Sequence, residues 1–186
     1  MKTANAVRQM NKLILGLATV MLLAASPAPA DNGVTPLLKM NTTYHFMFFS
    51  ELMPAAPFAG RAPGTVWSLA WEGTIEGDVN GVIRWWVELP LTGVGRWEIW
   101  NCEPIYPSPD CDFGDPAQLI MAGYDAFGYV SDTDWEGKGI VTYANEEYAE
   151  WFGRRITDGG WVEFAGGVPS YGEGPFIIYN TPSNKH

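Results

Sequence analysis

The stretch Trp67-Ser-Leu-Ala-Trp71-Glu-Gly-Thr-Ile75-Glu-Gly77-Asp-Val-Asn80-Gly81-Val-Ile-Arg84-Trp-Trp-Val-Glu88-Leu-Pro90 decides the fold. Two runs rich in β-branched and aromatic residues flank Asn80-Gly81, a pair suited to the tight turn of a β-hairpin. Strand side chains alternate between faces, so the turn geometry settles which residues share a side. A two-residue loop pairs Val79 with Val82 and mixes charge into both faces. A three-residue loop, with Gly81 in the left-handed bulge position, pairs Asp78 with Val82 and sorts them. One face then carries Trp67, Leu69, Trp71, Gly73, Ile75, Ile83, Trp85, Val87 and Leu89, without a charge. The other carries Glu72, Glu76, Arg84, Trp86 and Glu88, with Glu76 opposite Arg84. Burying a lone charge costs several kcal/mol, whereas an exposed cross-strand pair gains only about 0.2–1 kcal/mol, so the three-residue loop is predicted.

The flanking chain continues the pattern. Thr42 to Phe49 reads as a first strand after an irregular lead-in over Asn32 to Met40, and a Pro- and Gly-rich loop follows. Arg96 to Asn101 opposes Trp97 and Ile99 to Arg96, Glu98 and Trp100. Shorter strands are predicted at Ala117 to Tyr124, Gly139 to Ala144, Arg155 to Ile156, Trp161 to Phe164 and Phe176 to Tyr179. One short helix interrupts them. Asn145 suits its N-cap, Glu146 and Glu147 its first turn and Gly153 its end, and Tyr148, Trp151 and Phe152 share a side that covers the sheet. Such a sheet, apolar on one face, must close on itself or pair with another. Closure removes exposed edges, so the expected fold is all-β: a closed antiparallel barrel of about eight strands with one short helix. Its lumen either packs solid or encloses an apolar pocket, for which Gly73 and Gly77 leave room.

Residues 1–30 read as a signal peptide. Lys2, Arg8 and Lys12 precede an apolar core over Leu13 to Ala25, and Ala28-Pro-Ala30 gives the cleavage pattern. The remainder is one domain, with the lead-in, first strand and loop in 31–64 and the rest of the barrel in 65–180. An exported product, periplasmic or secreted and with no stable membrane insertion after cleavage, is expected. The chain has a net charge of −10, and the signal-peptide charges are all basic. That acidity argues against nucleic acid and anionic lipid as partners. Cys102 and Cys111 bracket a Pro-rich loop and, in an oxidising compartment, are expected to pair as a structural disulfide.

The motifs Trp71-Glu-Gly-Thr-Ile-Glu-Gly-Asp78, Gly81, Trp85-Trp86, Trp97-Glu-Ile-Trp100, Met121-Ala-Gly-Tyr124, Gly139-Ile-Val-Thr-Tyr-Ala144 and Trp151-Phe-Gly-Arg154 carry a resemblance. The chain is similar, over roughly Thr65 to Tyr179, to secreted bacterial proteins with an allene oxide cyclase barrel-like domain, a lipocalin-like and dirigent-like group. That resemblance implies an eight-stranded antiparallel barrel with a hydrophobic cavity. It also implies cyclase, isomerase or dirigent-type chemistry on a reactive apolar intermediate, and homo-oligomers among its members. No catalytic residue of the cyclases has a matching position in this chain.

Local chemistry is sparse. The sequence holds two histidines, His45 and His186, and no G-x-S-x-G. His45, within an aromatic strand, reads as a hydrogen-bonded structural residue. A zinc ligand set is lacking, and the acidic run Asp132-Thr-Asp-Trp-Glu-Gly137 lacks the Glu that closes a calcium loop, so no metal and no cofactor are expected. Glu72, Arg84 and Glu98 form the candidate acid–base group if the charged face works, although the register points them outward as a surface ladder. Trp86 and Trp100 beside those carboxylates would suit stacking on sugar rings. The reading taken forward is a small exported barrel that binds a small hydrophobic molecule in a lumen lined by Trp67, Trp71, Ile75, Trp85, Val87, Trp97 and Ile99. A cofactor-independent cyclase or isomerase acting on a lipid- or polyketide-like intermediate is the rival, and a structural or carbohydrate-binding module the third.

Overall fold

The computed structural model describes residues 36–46, 52–54, 66–89, 93–104 and 110–182. The signal-peptide reading and most of the loop before Val66 lie outside them. The strands are β1 (Pro36–Phe46), β2 (Leu52–Pro54), β3 (Val66–Gly77), β4 (Gly81–Leu89), β5 (Val94–Trp100), β6 (Leu119–Tyr129), β7 (Asp134–Ala144), β8 (Arg154–Ala165) and β9 (Val168–Pro182). Neighbours in sequence pair antiparallel from β3 to β9, and β1 bonds to both β9 and β3, which closes an eight-stranded barrel. The short β2 pairs with the start of β3.

β1 begins at Pro36, inside the segment expected to be irregular, and β6 to β9 run longer than the sequence implied. Glycines, which disfavour strands on propensity alone, sit within several of the later strands, as Gly159 and Gly160 do inside β8. At several such positions the space a side chain would fill is taken by a larger neighbour. A Cβ on Gly95 would stand 2.6 Å from the Trp85 ring, and one on Gly123 would run into Trp97.

The expected helix is a 3-10 segment, Glu146–Trp151, with no α-helix among the described residues. Asn145 caps it by accepting from the Tyr148 N–H, and Gly153 leaves it at φ +76°. Trp151 is buried in the main core, so this segment stoppers one end of the barrel. Around that end pack Met40, Ile75, Ile83, Ile99, Met121, Val141, Ile156 and Ile178.

The hairpin register differs from the expected one by four residues. Ile75 pairs with Gly81 and Glu72 with Arg84, so residues 76–80 form the loop. Val79 is buried beneath it, the Asn80 side chain bonds both backbone groups of Gly77, and the Asp78 carboxylate accepts from the Lys39 N–H. Burial of Val79 and the tie to β1 favour the longer loop over a tight turn. An even shift preserves parity, so Trp71, Gly73, Ile75, Ile83, Trp85 and Val87 still share the inner face. Ala70 then breaks that parity. Leu69 pairs with Trp86 but Trp71 with Trp85, a one-residue bulge that turns Trp67 and Leu69 outward. There they form a second small core with Trp86, against Val94 and Tyr124.

Cys102 and Cys111 form a disulfide with Cα atoms 5.3 Å apart. No helix among the described residues is long and apolar enough to cross a membrane. The outer faces of β1, β7 and β8 expose Lys39, Asn41, Glu136, Lys138, Arg155 and Glu163.

Two outcomes follow from this packing. Gly95→Ala should lower stability by about 1–3 kcal/mol in chemical denaturation, because a methyl group overlaps buried Trp85 and Asp125. Gly128→Ala, which meets nothing within 4 Å, should stay within about 0.5 kcal/mol; equal losses would disprove the packing argument. The Cys102→Ser, Cys111→Ser double variant should lose about 2–3 kcal/mol, read as a lower denaturation midpoint than wild type.

Candidate functional site

The end of the barrel away from the 3-10 stopper is built of aromatic rings. Tyr44 of β1, Trp71 of β3, Trp85 of β4, Phe127 and Tyr129 of β6, Trp135 of β7 and Val162 of β8 line a cavity of about 30 Å³. The rings support one another: Trp85 meets Phe127 edge-on at 4.4 Å between centroids, Tyr44 lies 5.8 Å from Trp71, and Trp135 lies 6.1 Å from both Tyr44 and Trp85. Tyr129, 43 % exposed, stands at the rim, and Trp71, Phe127 and Trp135 are half-buried. A cavity of that volume holds one or two water-sized groups, against about 300 Å³ for a drug-sized guest. Among the described residues, the side chains at the stoppered end belong to a continuous apolar core.

Behind this aromatic end lie two acids. Asp125 is 3 % and Asp158 6 % exposed. The indole Nε1–H of Trp85 donates to the Asp125 carboxylate at 3.0 Å, and Asp158 lies near enough to Asp125 to feel its charge. Three non-adjacent strands, β4, β6 and β8, supply these groups, and glycines on the strands between them allow the meeting. A Cβ on Gly95 would collide with Trp85 and Asp125, and one on Gly137 with Asp158. No donor among the described residues reaches either Asp158 oxygen, and the buried Tyr44 hydroxyl is likewise unpartnered.

Burial pushes the Asp125 carboxyl up to about 6, opposed by the hydrogen bond from Trp85. Burial and then the charge on Asp125 hold Asp158 well above the usual carboxylate range. Burial and then Asp158 raise the Tyr44 hydroxyl. Two carboxyls desolvated together disfavour double ionisation, so the pair holds on to protons that separate, solvated carboxyls would release.

Of the residues expected to line the lumen, Trp71 and Trp85 line the cavity, directly paired across β3 and β4. Ile75, Val87, Trp97 and Ile99 lie inside but belong to the packed core, Trp97 meeting Phe176 edge-on at 5.0 Å. Trp67 is on the other side of the wall, displaced by the Ala70 bulge. Asp125 and Asp158 were not singled out by the sequence reading. Their signal is an acid at an inward parity position, in Met121-x-Gly-x-Asp125-x-Phe127 and Ile156-x-Asp158.

The charged face is brought together but closed. Glu72, Arg84 and Glu98 follow one another across β3, β4 and β5, and His45 of β1 pairs with Glu72. The expected surface ladder is instead buried: Glu72, Arg84, Glu88 and Glu98 are each at most 5 % exposed. Arg84 Nε contacts Glu72 at 3.2 Å, its guanidinium lies 4.1 Å from the Phe113 ring centroid, and Arg96 pairs with Glu98. Trp86 and Trp100 are covered as well, Trp100 against Phe113 and donating to Glu98, so neither offers a sugar an open stacking face. This row is a desolvated ion network in the wall. In the acidic turn, the Ser131 and Thr133 hydroxyls donate to Asp134, and no group of three metal-ligating side chains occurs among the described residues.

Comparison with protein families, with curated proteins and with solved structures finds no match for this chain.

The buried acid pair makes a pH signature. The folded pair retains protons that unfolded carboxyls, with pKa near 3.9, release. Its contribution to stability is full below about pH 4 and is lost as pH rises through about 6. Asp158→Asn, which removes the raised titration, should gain stability relative to wild type as pH rises from 4 to 7. Parallel melting-temperature curves for the two proteins would contradict the raised titration of Asp158.

Proposed function

We propose that this protein is an exported binder of a small, largely apolar molecule that docks at the aromatic end of the barrel. The observation that carries the reading is the cavity at that end, walled by Tyr44, Trp71, Trp85, Phe127 and Trp135. Aromatic walls around a few convergent polar groups are the general make-up of small-molecule sites. The dimensions suit a compact group of the ligand, with the remainder at the rim beside Tyr129. The disulfide is compatible with export. Placement of the chain near the allene oxide cyclase barrel-like group is part of the same proposal, supported by its motifs and the closed barrel.

A second reading, a cofactor-independent cyclase or isomerase using the same seat, draws on the Asp125–Asp158 pair. One protonated and one ionised carboxyl form a donor and acceptor for a proton, once a ligand or ring movement opens a path past Trp85. A single enantiomer of product from a lipid- or polyketide-like intermediate, lost in Asp125→Asn, would distinguish enzyme from binder.

Tryptophan fluorescence titration with a panel of lipids and terpenoids tests the binding proposal. Saturable quenching is expected, with affinity reduced about tenfold or more in Trp71→Ala. Trp161→Ala, whose side chain lies on the outer face against Tyr171, should leave it unchanged. Absence of saturable quenching across the panel, or equal loss in both variants, would overturn the proposal.

A further inference from the structure

We propose that the group recognised at the aromatic end is a compact organic cation, a methylated ammonium head, held by the rings of Tyr44, Trp71, Trp85 and Trp135 in front of the buried Asp125–Asp158 pair. This deepens, and rests on, the binding reading above.

Three observations converge. The first is the cage: Tyr44, Trp71, Trp85 and Trp135 lie about one cavity with neighbouring centroids 5.8–6.1 Å apart. Ring faces carry partial negative charge, and a cation within about 6 Å of a centroid is attracted, most strongly by Trp. The second is the buried charge. Neither Asp125 nor Asp158 forms a salt bridge with a Lys, Arg or His among the described residues, and Asp158 receives no hydrogen bond. An anionic pair in low dielectric without a counter-charge is costly, and a bound cation would offset that cost. The third is the bond between them. Asp125 accepts from the Trp85 indole N–H at 3.0 Å, so the carboxylate polarises a ring of the cage from its N–H edge. About 30 Å³ admits one or two methyl groups of such a head, with the remainder at the rim. The chain's net charge of −10 favours approach of a cation over long range.

The experiment is calorimetric titration of the signal-free chain with choline and with 3,3-dimethylbutan-1-ol, its neutral isostere, at pH 8 and pH 4.5. Choline should bind about tenfold or more tightly than the alcohol at pH 8. The preference should shrink at pH 4.5, and vanish at pH 8 in the Asp125→Asn, Asp158→Asn double variant. Binding of the alcohol at wild-type strength by that variant reports that it is folded. Should it not fold, the pH 4.5 arm on wild type decides alone. Equal binding of both probes would overturn the cation inference and leave the apolar reading standing. Failure of both probes while terpenoids or lipids still quench would do the same. Failure of every compound in both experiments would overturn the two together.

Discussion

Space inside the barrel is the constraint on which the rest depends. Eight tilted strands enclose an interior only wide enough for side chains to fill. This chain sends the indoles of Trp71, Trp85 and Trp97 into it, with Tyr44 and Phe176. Such bulk fits only because facing positions hold glycine. Gly95 lies under Trp85 and Gly123 under Trp97. Native interiors alternate large and small residues to reach crystal-like density, and here the alternation runs between strands. The same vacancies let side chains from non-adjacent strands meet, which is how Trp85 bonds Asp125 and both acids crowd the space beside Gly137. Packing and site thus share one cause.

The wall formed by β3, β4 and β5 is unusual in being buried on both sides. Inside is the aromatic core. Outside, Glu72, Arg84 and Glu98 form a desolvated row flanked by Trp67, Leu69 and Trp86. A buried ion pair is weak evidence for stability, because desolvation consumes most of the attraction, but loss of one partner is severe, about 3–5 kcal/mol. The row fixes register and holds the segment that follows the disulfide through Phe113 over Arg84. Mutational loss of function at Glu72, Arg84 or Glu98 would on these grounds report folding.

Much of the architecture was legible. Alternation around Asn80-Gly81 identified the hairpin, and composition the closed sheet. Trp71 and Trp85 were placed on one inward face because parity survives an even error in register. Three features escaped. The Ala70 bulge is invisible in a run where Trp67, Leu69 and Trp71 alternate without interruption, since pairing with Trp86 and Trp85, not local pattern, creates it. Burial of the charged face depends on tertiary cover, which period-two reasoning cannot see. Asp125 and Asp158 were overlooked because both lie just past predicted strand ends, at Tyr124 and Ile156, where no parity marks them as inward. The glycines that accommodate them, Gly95 and Gly137, stand on the neighbouring strands.

The bulge at Ala70 has a consequence for how such a molecule could change over time. Deleting Ala70 alone would remove the bulge and leave Trp67 and Leu69 on the outer face, beside Trp86, where they now pack. Keeping Ala70 while pairing the strands without a bulge would instead carry both side chains through the wall, to the side where Ser68 now faces Val87. One surplus residue thus keeps two large side chains out of the lumen, and it does so through backbone geometry more than through the methyl group it carries.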